Sequence, residues 1–221
     1  MTPARIGEIL APFLAAPLAG TQLDQISIYI DLLLRWNSRV NLTAIRDPEQ
    51  ILTRHFGESF FAARHLLPDP GTVPCTSSGL ETASGPRVAD LGSGAGFPGL
   101  PLKIWSSDTP VTLIEANHKK VAFLREVIRA LTLTSIDVFS SRAEDHPAAT
   151  AALVTLRAVE RFTTVLPIAA RLLAPAGRVA LLISQAQMQD AQVTLPTLSW
   201  NPPITVPNSS ARLVLIGTRT K

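Results

Sequence analysis

The chain of 221 residues carries a single cysteine, Cys75. One thiol cannot build a disulfide framework within the chain, which excludes the disulfide-stapled secreted class and fits a reducing compartment. Aromatic residues are scarce at 5% while apolar residues reach 46%, so the core must be aliphatic. No apolar run approaches the roughly 20 residues of a membrane span. The N-terminal apolar residues are interrupted by Pro3, Pro12, Pro17 and Gly20, with no basic region before them, so no signal peptide is expected. A soluble, cytoplasmic, monomeric protein follows as the expectation. No Cys/His spacing suggests a metal, and no His/Asp or Cys/His pairing suggests covalent catalysis. A net charge of +3 permits a nucleic-acid partner without demanding one.

What is present divides by rhythm. Residues 1–67 have helical spacing and no convincing strand. Ile6, Ile9, Leu10, Phe13 and Leu14 form a short amphipathic helix. Thr21 and Asp24 resemble a capping pair for a helix over about 22–36 with Ile26, Ile30, Leu33 and Leu34 on one stripe. A third helix runs from about Pro48 to Leu67. Residues 68–86 are rich in Pro, Gly, Ser and Thr and read as a loop or linker. From Arg87 to residue 221 strands and helices alternate: strands at 87–91, 111–115, 135–139, 152–156 and 178–184, helices at 99–106, 117–131, 160–173 and 185–192, and final strands near 197–206 and 211–218. That alternation predicts an α/β fold with a doubly wound, mostly parallel sheet and an N-terminal helical extension.

The chemistry gathers on Asp90-Leu91-Gly92-Ser93-Gly94-Ala95-Gly96-Phe97-Pro98-Gly99. This is a strand end, a glycine turn and a proline-marked helix start, the pattern of a nucleotide-type ligand site. Glu115 ends the second strand 19 residues after Gly96, where a carboxylate can accept from both hydroxyls of a ribose. The glycines are spaced G-x-G-x-G, not G-x-G-x-x-G, and Asp90 precedes them. A carboxylate facing a pyrophosphate is unfavourable, whereas S-adenosylmethionine carries cationic sulfonium and ammonium groups and no phosphate. Arg142-Ala143-Glu144-Asp145 follows the third strand, where backbone groups can read an adenine edge. His118, Lys119, Lys120, Arg125 and Arg129 make one helix basic, which reads first as a solvated face. Asn201-Pro202-Pro203-Ile204 imitates the base-stacking loop of amino-group methyltransferases, but it comes too late in the chain and lacks the aromatic.

Leu33-Leu34-Arg35-Trp36-Asn37 and Asn41-Leu42-Thr43-Ala44-Ile45-Arg46-Asp47-Pro48 resemble the N-terminal signature of the RsmG (GidB) family, bacterial small-subunit ribosomal RNA guanine-N7 methyltransferases. His55-Phe56, the 90–101 stretch, Arg125 and Arg157-Ala158-Val159 extend the likeness over about 22–67 and 87–183, with an echo at Arg212-Leu213-Val214. The resemblance implies a Rossmann-like class I methyltransferase fold and S-adenosyl-L-methionine as cofactor. It places Gly92 and Phe97 at the cofactor and Ala143 and Glu144 at its adenine, beside Asp90, Ser93, Gly94, Gly96 and Glu115 read from the glycine turn and the second strand end. It gives Arg157 a catalytic place at the mouth of the site, and puts Asn41, Arg46 and His55 beside it on the RNA-facing side. The implied partner is small-subunit rRNA or the 30S subunit. The sequence departs from the family pattern at Ala152, where an acidic residue is usual, at Ile183, where a lysine is usual near a strand end, and at His55-Phe56-Gly57-Glu58-Ser59, where Asp is usual in place of Glu58. Two other functions stand beside this one: a related methyltransferase acting on another RNA atom or a small molecule, and a non-catalytic RNA- or ribosome-binding protein that keeps the fold.

Overall fold

The computed structural model describes residues 1–68 and 87–220. Apart from Pro68, the expected 68–86 loop, with Cys75, lies outside the described residues. Eight strands form one sheet: β1 (Val88–Leu91), β2 (Val111–Ile114), β3 (Ile136–Phe139), β4 (Ala151–Arg157), β5 (Leu173–Ser184), β6 (Leu198–Trp200), β7 (Ile204–Thr205) and β8 (Arg212–Arg219). Their order is β3-β2-β1-β4-β5-β8-β6, with β7 also on β8. The first five strands are parallel and β8 is antiparallel to β5. Leu91 pairs with Ile114 and with Leu156, and Ile114 with Phe139, so four strand ends finish level. Ligands of open α/β sheets bind at that edge.

The expected strand at 197–206 is two short strands, because Pro202 and Pro203 have no N–H to give the ladder. Asn201-Pro202-Pro203 is an exposed connection outside β8. The strand expected at 178–184 begins five residues earlier, at Leu173, with a register irregularity opposite Ala151 to Leu153.

The helices are α1 (Pro3–Leu10), α2 (Gly20–Asn37), α3 (Pro48–Ile51), α4 (Glu58–Leu66), α5 (Gly99–Trp105), α6 (His118–Ala130), α7 (Phe162–Leu172) and α8 (Met188–Thr194). Thr2 caps α1, Asp47 caps α3 ahead of Pro48, and Asn117 caps α6. The cap of α2 differs from expectation. Neither Thr21 nor Asp24 supplies it; the Gln22 side chain accepts the Ala19 N–H at 2.9 Å, and the helix starts at Gly20. Between α3 and α4 the chain widens into a π-helical stretch, Leu52–Gly57, that carries His55 and Phe56. Among the described residues no helix is long and apolar enough to cross a membrane.

Two apolar layers flank the sheet. On one face Ile6, Tyr29, Ile30, Phe56 and Phe60 of the N-terminal helices pack in one cluster with Leu100 of α5, Phe123 of α6 and Leu113 of the sheet. On the other, Leu166 and Ala169 of α7 and Ala191 of α8 pack on Val154, Val179 and Leu215. The Trp36 indole also donates to Glu126 of α6 at 3.0 Å. The helical region therefore shares its core with the sheet.

Candidate active site

The glycine turn leaves β1 at the level edge of the sheet. Gly92, Gly94 and Gly96 all have positive φ, at 70°, 57° and 90°. At Gly96 a Cβ would stand 2.3 Å from Leu100 Cδ1 and 2.5 Å from the Tyr29 hydroxyl, so only glycine fits. The Gly92 and Ser93 N–H groups donate to the Ile114 carbonyl at 3.0 and 3.1 Å, which ties the turn to β2. The Tyr29 hydroxyl donates to the Ala95 carbonyl, and its ring stacks on Phe97 with centroids 5.3 Å apart. Tyr29 comes from α2, so a helix of the N-terminal region sets the shape of the turn. Sequence reasoning placed Tyr29 nowhere; a tyrosine in an apolar stripe gives no sign of what its hydroxyl reaches.

Asp90 is 1% exposed. Its Oδ1 accepts from the Thr155 hydroxyl of β4 at 2.8 Å and its Oδ2 from the Gly99 N–H of α5 at 3.2 Å. Burial raises the carboxyl from 3.8 to about 6, with the hydrogen bonds opposing. Asp90 is thus a buried tie between β1, β4 and α5 beneath the turn, not an open carboxylate in the cleft. Ser93 is also buried, its hydroxyl donating to the Asp90 carbonyl at 2.9 Å.

Glu115 is half-buried at the end of β2. Its Oε2 accepts from the Gly94 N–H at 2.9 Å and its Oε1 from the Asn117 N–H at 2.8 Å. Each oxygen retains a lone pair for a hydroxyl donor. Ala143 and Glu144 lie in a 3₁₀ turn after β3, partly buried and exposed respectively. Arg171 of α7 braces that turn by donating to both of their carbonyls, at 2.8 and 3.0 Å. Val159 Cγ1 stands 3.0 Å from where a Gly92 Cβ would be. The structure therefore brings Gly92, Gly94, Glu115, Ala143 and Glu144 to one edge of the sheet. Phe97 lies beneath, 5% exposed.

The RNA-side expectations divide. Asn41 and Arg46 are exposed on the connection between α2 and α3. Asn37 pins that connection: its Oδ1 accepts from the Leu42 and Thr43 N–H groups and its Nδ2 donates to the Thr43 carbonyl. His55 is not on the surface. It is 7% exposed, stacked on Phe97 at 4.7 Å, with Nε2 2.8 Å from the Thr43 hydroxyl. Burial first, then Arg157, lowers its pKa from 6.5 to about 3, so the ring is neutral and offers no cation to a phosphate. Arg157 closes β4 with a side chain 7% exposed. Its Nε and Nη2 donate to Glu58 Oε2 at 3.3 and 3.1 Å, and Nη2 to the Arg54 carbonyl at 2.6 Å. Among the described residues its Nη1 makes no hydrogen bond and remains available. Arg125 and Arg129 of α6 are exposed, as a solvated face predicts.

The family model described as rRNA small subunit methyltransferase G matches residues 22–197. The chain belongs to this family. It is 38% identical over 177 residues to the ribosomal RNA small subunit methyltransferase G of Desulfitobacterium hafniense, covering 78% of this chain and 67% of that protein. The enzyme of the same name from Chloroflexus aggregans is 38% identical over 215 residues, 92% of this chain and 84% of that one. The Xanthomonas oryzae enzyme is 41% identical over 151 residues, 67% and 63%. Among solved structures, a SAM-dependent methyltransferase from Aquifex aeolicus superposes with a TM-score of 0.59 at 14% identity, over 80% of this chain and 96% of that one. The YcgJ protein from Bacillus subtilis gives 0.56 at 12%, over 76% and 100%. These superpositions establish the Rossmann-like class I methyltransferase fold.

The family's context gives the departures a location. Ala152 sits at the start of β4, its N–H bonded to the Arg87 carbonyl, at the end of the sheet opposite the glycine turn. Ile183 is 3% exposed and packs in the layer under α7 and α8. Arg157 pairs with Leu182, which faces the N-terminal helices, so Ile183 points to the opposite face from Arg157. Ala152 thus lies away from the glycine turn, and Ile183 lies on the face away from Arg157.

Proposed function

We propose that this chain methylates N7 of a guanine in small-subunit ribosomal RNA, using S-adenosyl-L-methionine, in the cytoplasm. The observation that carries the reading is the glycine turn at the end of β1 with the Glu115 carboxylate on its Gly94 amide, in a chain of this family. The donor set fits the cofactor. A carboxylate with open lone pairs suits a ribose, and exposed backbone at Gly92 suits close approach. Glu115 would hold the ribose hydroxyls, the Ala143–Glu144 turn the adenine edge, and the buried Asp90 would place negative charge beneath a cation. Bound there, S-adenosylmethionine supplies an electrophilic methyl group on a sulfonium.

Guanine N7 has a free lone pair in the neutral base, so no residue need take a proton before attack. The chain's work is to align acceptor and methyl in a water-poor cleft. That agrees with His55, whose lowered pKa of about 3 makes it a poor base for the Thr43 hydroxyl it touches. Arg157 Nη1 would meet the acceptor at the guanine O6 edge or a neighbouring phosphate. The test is methylation of 30S subunits from a strain lacking the endogenous activity, followed by N7-specific strand scission. Cleavage at one guanine is expected, and label on any other atom overturns the acceptor assignment. Calorimetry with Glu115→Ala should show cofactor affinity reduced roughly 10- to 100-fold, the loss of one or two charge-assisted hydrogen bonds. Gly92→Asp should abolish binding. Wild-type affinity in Glu115→Ala would remove that residue from the site.

A further inference from the structure

Beside the glycine turn four charged side chains from three parts of the chain converge. Glu58, the first residue of α4, has a side chain 4% exposed. Arg157 holds its Oε2 at 3.1 Å, and Arg54 Nε holds its Oε1 at 3.2 Å. Arg212, at the head of β8, places its Nε 3.7 Å from Oε1, within ion-pair reach but too far for a hydrogen bond. That Nε is buried and has no hydrogen-bond partner among the described residues. Three guanidiniums thus share one carboxylate and leave a local excess of two positive charges.

The cluster is graded from core to surface. The Arg157 side chain is 7% exposed, Arg212 25% and Arg54 53%. His55, 7% exposed, stands close enough to all three arginines for each to act on its titration, and its Nδ1 is likewise buried without a partner. Partly buried cations in excess are unfavourable until an anion completes them. Planar guanidinium forks are also the donors best matched to phosphate oxygens.

We propose that Arg54, Arg157 and Arg212 form a seat for one backbone phosphate of a single-stranded RNA segment, with Glu58 as the positioning residue that holds them. This rests on the function proposed above. His55 links the seat to the cofactor side, since its ring stacks on Phe97 of the glycine turn. A phosphate fixed in the seat therefore holds its nucleotide beside the position from which the methyl leaves. The charge on Glu58 keeps the three cations from repelling one another before RNA arrives.

The test compares wild type, Arg54→Gln and Arg212→Gln for binding to unmethylated 30S subunits over a series of KCl concentrations at constant Mg²⁺. Each variant should bind about five- to tenfold more weakly. Each should also reduce the slope of log affinity against log salt by about 0.7, the value for one phosphate contact on a single strand. Arg212→Lys should restore the slope. Cofactor affinity within about twofold of wild type reports that each variant is folded. Unchanged slopes in both glutamine variants overturn the seat. Methylation of the same subunits, read by N7 scission, judges the functional reading separately: intact methylation with unchanged slopes sinks only the seat, and absent methylation with altered slopes sinks only the reaction.

Discussion

Asp90 is buried in the fold, and the function proposed above asks it to carry charge beneath a cation. Its carboxyl titrates at about 6 in the folded chain against 3.8 in a free side chain. Between those values the folded chain holds a proton that the unfolded chain has released. Stability from this group is therefore greatest below 3.8 and declines as pH climbs to about 6. Asp90→Asn keeps both hydrogen bonds, its oxygen accepting from Gly99 and its amide donating to Thr155, and removes the titration. Urea denaturation of both proteins should show the variant gaining on wild type by about 2 kcal/mol between pH 4 and 6.5, at ~1.4 kcal/mol per unit. A pH-independent difference would contradict the buried carboxylate. Cofactor binding should show the reverse trade: a cation above Asp90 favours the ionised form, so wild-type affinity rises with pH through about 6 and that of Asp90→Asn does not. Tyr29→Phe keeps the ring on Phe97 and strands the Ala95 carbonyl, at a cost of about 1–3 kcal/mol read from the same denaturation curves. Cofactor affinity should fall with it, because the hydroxyl braces the glycine turn.

At the scale of elements, the strands were legible because buried parallel strands are short apolar runs between Gly and Pro punctuation, as Val88–Leu91 and Val111–Ile114 are. The glycine turn was legible because a turn with positive φ at alternate residues admits little but glycine. What could not be read was pairing at long range. Glu58 and Arg157 are 99 residues apart, and Arg171 reaches Ala143 across 28. Nothing local marks a glutamate in the first turn of a helix as the hub of three arginines. His55 is a related case: its sequence neighbours leave a contact residue and a structural histidine equally open, and the structure buries it against Phe97. Glu58→Gln should therefore act far beyond one helix. It leaves three guanidiniums without a counter-ion and loosens α4 from β4 and β8, costing about 3–5 kcal/mol. Thermal denaturation measures that cost. Adding Arg157→Gln to Glu58→Gln should recover part of it, since the second change removes one of the stranded charges.

For the whole molecule, the change of rhythm at residue 87 falls within one shared core. Leu100, Leu113 and Phe123 of the sheet half are buried in one cluster with Ile6, Tyr29 and Phe56 of the helices. A fragment spanning 87–220 should accordingly lack a cooperative unfolding transition and near-ultraviolet dichroism, although its far-ultraviolet spectrum keeps helix and strand. A sharp transition in that fragment would show the helices to be an accessory layer. The position of β8 carries the matter further. It lies between β5 and the β6/β7 edge, yet the ribosome makes it after every other strand of the sheet. While it is still in the exit tunnel, β5 presents an open edge and Glu58 faces two arginines instead of three. The four-charge cluster and the closed sheet are therefore completed by the same strand, since Glu58 gains its third arginine only when β8 covers the edge of β5.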